Sequence, residues 1–171
     1  MPLRPRKRHL DPAPTGNLTP VPGRVVAGHG VAGSASPTSP HPAGTISLQL
    51  PFFLERGLDL SMYHPATLNV STNPVEIRIV RPRHHFADVV WTDLHAPESF
   101  DFVVATVVAE GRRFGGWGYR PTPETKAGHW QAATVLEVIA PFIPGIEYGQ
   151  GVVLELDAAE VTLIEPSGGA S

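Results

Sequence analysis

The sequence predicts a mainly β protein, a closed or nearly closed β-barrel of six or more strands with one or two short helices. Three observations carry this. About nine short stretches are either alternations of apolar and polar residues with period two or β-branched runs bounded by turn residues. Gly 17 and Pro 19 among 171 residues punctuate the chain too often for long helices. No strand–helix–strand alternation recurs, which argues against a parallel open sheet, and so many short strands leave edges exposed unless the sheet closes on itself.

The elements follow in order. Residues 1–22 are Pro-rich and polar without apolar periodicity, and are expected to form a disordered basic lead. Order is expected to begin at Gly23, with a β-branched strand through Val25 and Val26 that runs into a glycine-rich loop. Residues 44–50 alternate with period two and predict a strand, after which Pro51 suits the first turn of a short helix ending at Gly57. Residues 65–70 predict a strand with Ala66, Leu68 and Val70 on one face and Thr67 and Asn69 on the other. Residues 75–80 give the cleanest alternation, with Glu76 and Arg78 outward. Residues 86–94 read as a strand or a short helix. Residues 100–108 and 113–119 predict a hairpin around Glu110-Gly111, and residues 133–140, 151–156 and 159–164 supply the last strands. The whole is one domain, residues 23–165, with a fraying tail at 166–171.

Composition excludes several functions. The absence of cysteine removes disulfides, thiolate metal sites and cysteine nucleophiles. No apolar run approaches the roughly 20 residues of a spanning helix, and no apolar segment follows the basic N-terminus, so neither a membrane partner nor a secretory signal is expected and a cytoplasmic location is the default. Arg4, Arg6, Lys7 and Arg8 crowd the first ten residues, leaving nine Lys and Arg against sixteen Asp and Glu elsewhere. An acidic body argues against a nucleic-acid surface on the folded part.

Four groups of residues could carry chemistry. Thr67 and Asn69, two apart on a strand, present a hydroxyl and an amide oxygen to one face. Such hard oxygens suit Mg²⁺, which takes few protein ligands and completes its shell with phosphates and water; the plainer reading is the wet face of an edge strand. Gly28, His29, Gly30, Val31, Ala32 and Gly33 form a loop whose backbone N–H groups could approach an anion, although it is neither a Walker A loop nor a clear dinucleotide fingerprint. Glu137 is a carboxylate in an otherwise apolar strand, either solvent-facing or ligand-facing. His84, His85, His95 and His129, with Asp88 or Glu137, form a rival metal set, but adjacent strand histidines face opposite ways. Trp117, Tyr119 and Trp130 could stack on a planar ring or simply fill the core.

Three stretches together resemble the CTP-dependent riboflavin kinase family, the archaeal type built on a cradle-loop barrel: residues 24–30, the Pro-Ala-Thr-Leu-Asn-Val of 65–70 and the Val-Leu-Glu-Val-Ile-Ala-Pro of 135–141. Their order matches that family from about residue 23 to 165. The resemblance implies phosphoryl transfer from CTP to riboflavin to give FMN, with Mg²⁺ held by Thr67 and Asn69. It implies nucleotide contacts at residues 28–33 and at Phe142, Ile143, Pro144 and Gly145, and flavin contacts at His129 and Glu137. This chain departs from the family at several points. Ala66 replaces the Gly before Thr-Leu-Asn, Val31 and Ala32 replace an acidic loop residue, and His129 replaces a Thr. The Phe-Ile-Pro-Gly of 142–145 stands where the family has a Leu-Arg segment, and the loss of that arginine removes a charge-assisted nucleotide contact. A non-kinase module on the same barrel, binding a nucleotide, a flavin or another small ligand, is the alternative.

Overall fold

A computed structural model describes residues 12–27, 45–94, 96–122 and 132–167. It contains nine strands and one helix among these residues: β1 (Leu18–Val26), α1 (Thr45–Glu55), β2 (Leu68–Ser71), β3 (Glu76–Ile79), β4 (His84–Val89), β5 (Glu98–Ala109), β6 (Arg112–Pro121), β7 (Val135–Ile139), β8 (Gly151–Asp157) and β9 (Val161–Ile164). Seven strands form one antiparallel sheet in the order β4-β5-β6-β7-β2-β1-β8. Because β8 pairs again with β5, the hydrogen bonds of β5, β6, β7, β2, β1 and β8 close into a ring, as the strand count predicts. The pair β3–β9 forms a separate two-stranded sheet. No helix among the described residues is long and apolar enough to cross a membrane.

Strand β5 is long enough to serve two neighbours along one edge. Its first half pairs with β4 from Val89↔Glu98 to His84↔Phe102, and its second half with β8 from Ala105↔Leu156 to Val108↔Val153. The amide of Val104 falls in the gap between them, and the buried carboxylate of Glu160 accepts its hydrogen bond at 2.8 Å. The same carboxylate accepts from Arg83 Nε at 2.9 Å. On the other edge β5 pairs with β6 through a tight turn in which Glu110 (φ 49) and Gly111 (φ 74) are both left-handed, the geometry a two-residue hairpin favours.

Alternation along the ring strands builds two cores. Val70, Val103, Ala105, Val107, Leu136, Val138, Leu154 and Leu156 fill the inside. Strand β6 turns glycine inward here: a Cβ on Gly118 would stand 2.8 Å from Val103 and 3.0 Å from Leu136. The second core lies outside the ring, where Phe86, Phe100, Phe102, Val104, Trp117, Tyr119 and Ile139 are covered by Ile46 and Phe53 of α1. Phe53 is fully buried, with its ring edge-on to Phe100 and Phe102 at 5.2 and 5.0 Å.

Several expected boundaries differ: β2 begins at Leu68 rather than at residue 65, and the segment expected at 86–94 is strand β4, His84–Val89. Residues 45–50 are helical, not a strand, and Pro51 lies inside the helix rather than at its start. The buried positions Ile46, Gln49 and Phe53 are spaced by three and four, a helical stripe whose middle member is polar. Strand β1 begins at Leu18, not Gly23, despite Pro20 and Pro22. That part of β1 pairs only with β8, and an unpaired second edge tolerates a missing N–H.

Candidate functional site

One row of directly opposed residues crosses the outer face of the ring: Val26, Asn69, Glu137, Tyr119, Phe102 and His84, on β1, β2, β7, β6, β5 and β4. Opposed residues of an antiparallel ladder share a face. That face is outward, because Leu136 and Val138 on either side of Glu137 belong to the inner core and Tyr119 and Phe102 to the outer one.

Thr67 stands one residue before β2 on this same face, and its hydroxyl donates to Glu137 Oε1 at 3.2 Å. The shared face of Thr67 and Asn69 is therefore present, but it is not the wet face of an edge strand. Strand β2 is flanked by β1 and β7, and Asn69 and Thr67 are only 3% and 8% exposed. A buried amide carries stability, so Asn69 cannot be truncated silently. A hydroxyl, an amide and a carboxylate thus share one face of neighbouring strands, oxygen groups of the kind that a small dication takes. No cluster of three His, Asp or Glu side chains occurs among the described residues.

Next in the row, the Tyr119 hydroxyl donates to Gln49 Oε1 of α1 at 2.7 Å, both groups being buried. Burial pushes the Tyr119 phenol well above its ordinary value, and the charges of Glu137 and Glu98 add to that, so the hydroxyl stays neutral and remains a donor. Sequence reasoning gave Tyr119 only a stacking or core role and missed Gln49. The available signal was a polar residue at a core-facing helical position.

The loop after β7 returns to the same place. His64 N donates to Ala140 O at 3.1 Å, extending the β2–β7 register so that the rings of His64 and Phe142 meet at 5.4 Å with an interplanar angle of 63°. Phe142 is 65% exposed and Pro144 and Gly145 are exposed, whereas Ile143 is buried in the inner core. The loop is then tied to the end of β1: Gly149 N donates to Val25 O at 2.7 Å, Val25 N to Gln150 O at 2.9 Å, and Arg24 Nη1 to Gly149 O at 2.6 Å. Gly28, His29, Gly30, Val31, Ala32, Gly33 and His129 lie outside the described residues, as do His95 and Trp130.

Among the described residues, the hydrogen bonds and ring contacts of Arg120, His84 and His85 are made away from Thr67, Asn69 and Glu137. Arg120 donates to Ile77 O at 2.6 Å and Val135 O at 2.9 Å. Its burial lowers the guanidinium's pKa, a shift opposed by Glu137 and Asp101. His84 stacks on Phe86 at 5.8 Å and meets Trp117 at 5.3 Å; burial, and then Arg83, hold its pKa below the ordinary value. His85 faces the other way and pairs with Asp101 at 2.6 Å. No protein-family model matches the sequence, and no curated protein matches it either.

Proposed function

We propose that the row on β2, β7 and β6 is the ligand site of a riboflavin-kinase-like phosphotransferase, which uses Mg²⁺ and a nucleoside triphosphate, CTP by resemblance, to make FMN. The observation that supports it is register. Parts of the three stretches that carry the family resemblance, 24–26, 68–70 and 135–139, far apart in sequence, lie on neighbouring strands with Val26, Asn69 and Glu137 opposed in one line.

Phosphoryl transfer is mostly positioning and charge neutralisation. Thr67 and Asn69 would hold the magnesium, whose contribution when bound is to neutralise phosphate charge. Glu137 fixes the Thr67 hydroxyl and offers a carboxylate oxygen to a substrate hydroxyl. Tyr119, locked by Gln49, forms an apolar wall with a neutral polar tip. The test is incubation of purified protein with riboflavin, Mg²⁺ and either CTP or ATP, reading FMN by chromatography. FMN formation that Asn69→Ala lowers at least about 100-fold is expected, the loss that follows when charge-neutralising positioning is removed. No FMN with any nucleotide at high protein concentration refutes the reaction.

A second reading, a ligand-binding module without turnover, is favoured by one feature. The described residues include no lysine, and Arg120 is committed to backbone carbonyls. Saturable stabilisation by nucleotide or flavin with no product formed would select it.

A further inference from the structure

We infer that residues 13–17 are a strap, fastened by the Asp157 carboxylate and Arg83, that opens as a unit of its own while the ring stays closed. The strap lies at the far end of the ring from Thr67. In the β1–β8 ladder Leu18 faces Asp157 and Arg24 faces Gly151, whereas Thr67 lies beyond the Val26↔Asn69 pair. Its opening needs no reaction at the proposed site.

Asp157 ends β8 opposite Leu18, where the strap joins β1. Its carboxylate is fully buried and takes two successive strap amides, Thr15 N donating to Oδ2 at 2.7 Å and Gly16 N to Oδ1 at 3.0 Å. The Thr15 hydroxyl adds a bond to Oδ2 at 3.2 Å. Asn17 O accepts from Ala158 N at 2.9 Å, and Ala13 O from Arg83 Nη2 at 2.9 Å. So close an approach requires glycine at position 16, where a Cβ would stand 2.7 Å from Asp157 Oδ1 and 3.0 Å from Ala159.

The strap is held by polar bonds rather than by core burial. Ala13, Pro14, Thr15 and Asn17 are exposed and Gly16 is half-buried. Segments with few buried apolar contacts are the ones that open locally. The groups that hold the strap also keep partners when it leaves. Ala159 N donates to Asp157 Oδ1 at 2.9 Å, Arg83 Nη2 lies 3.7 Å from Oδ2, and Arg83 Nε donates to Glu160 Oε1 at 2.9 Å. Opening therefore strands no buried charge, which would otherwise tie it to global unfolding. The rungs of the β1–β8 ladder, from Leu18 to Arg24, all lie outside the strap.

Charge controls the fastening. Burial pushes the Asp157 carboxyl up, but hydrogen bonds from Ala159, Thr15 and Gly16 outweigh this and hold its pKa below the ordinary value; Arg83 and Glu160 are the charged groups facing it. The fastening is thus complete above the ordinary carboxylate value and lost as pH falls through the folded-state one. Release moves the anchor of the basic residues Arg4, Arg6, Lys7 and Arg8 from Ala13 to Leu18, which extends their reach by about 17 Å.

The experiment is amide hydrogen exchange of the full chain, read at single residues by NMR, in wild type and Gly16→Ala. At neutral pH the wild-type amides of Thr15 and Gly16 are expected to be protected about 10–100-fold, the worth of hydrogen bonds to a charged group, and to exchange well before those of Leu154 and Leu156 in β8. Gly16→Ala leaves the carboxylate in place. It should bring the amides of positions 15 and 16 to the rate of an unstructured peptide, while Leu154 and Leu156 stay protected more than about 100-fold. Acidifying the wild type should have the same effect below the ordinary carboxylate range, after correction for the pH dependence of exchange itself. Strap amides that exchange in step with Leu154 and Leu156, in either protein, overturn the strap as a separate unit. Strap amides unprotected in wild type, or protection that survives Gly16→Ala or persists down to acid unfolding of the ring, overturn the fastening by Asp157.

Discussion

Asn69→Asp tests the proposed cation site without reference to any reaction. The change places a second carboxylate opposite Glu137 in the β2–β7 ladder. Opposed side chains have Cβ atoms about 5 Å apart. Two unit charges at that distance repel by about 3 kcal/mol at an effective dielectric constant near 20. Asn69 is buried but Glu137 is only half-buried, so solvent screening reduces the penalty to about 1–3 kcal/mol. In a domain of this size that lowers Tm by roughly 3–10 °C. A dication between the carboxylates reverses the effect, because binding to the native state alone stabilises it. Thermal unfolding followed by circular dichroism, in chelator and in millimolar Mg²⁺, should show a destabilised variant that Mg²⁺ rescues more than it stabilises wild type. A variant that melts with wild type in chelator, or that ignores Mg²⁺, refutes the convergence of Thr67, Asn69 and Glu137 on one cation.

Three further outcomes are expected. Asp157 is fully buried; burial pushes its carboxyl up, but hydrogen bonds from Ala159, Thr15 and Gly16 outweigh this and hold it below the ordinary value. Its stabilisation is thus complete above the unfolded pKa and lost as pH falls through the folded one. Asp157→Asn should cost about 2–4 kcal/mol at neutral pH and flatten the acid limb of a denaturant-midpoint series; an unchanged acid limb refutes this. Glu160 is the opposite case, its pKa raised by burial despite hydrogen bonds from Val104 and Arg83. Its contribution falls as pH rises from the ordinary carboxylate value through the raised one, so Glu160→Gln should gain on wild type across that interval, and a pH-independent difference counts against it. Gly116→Ala should prevent folding or cost more than about 3 kcal/mol, because its Cβ would overlap the Ile139 carbonyl. Gly118→Ala, which meets only side-chain tips, should cost less, and the reverse order in urea titrations refutes the argument.

The β architecture was legible because alternation is a direct record of a two-faced sheet. Residues 75–80 and the hairpin at Glu110-Gly111 fell where period and turn chemistry put them. The segment from Thr45 misled for a physical reason. Ile46, Leu48 and Leu50 imitate period two, while the true buried stripe of Ile46, Gln49 and Phe53 contains an amide, and Leu48 and Leu54 face solvent. The shared face of Thr67 and Asn69 was legible in their spacing. Their burial could not be, since it depends on β1 and β7 arriving on either side of β2 from distant parts of the chain. The same holds for Gln49, whose partner Tyr119 is seventy residues away.

The divided edge of β5 gives the molecule two layers of permanence. The β8 pairing that closes the ring and the β4 pairing that roofs the outer core do not share a hydrogen bond, and the Val104 amide between them is capped by a side chain from neither strand. Peeling of β4 from β5, which would take Phe86 and Val89 off the outer core, would break no strand pairing of the ring. Cooperative opening in proteins follows such seams. Amide protons of β4 should then exchange with solvent deuterium through a local event, and those of β8 only through global unfolding.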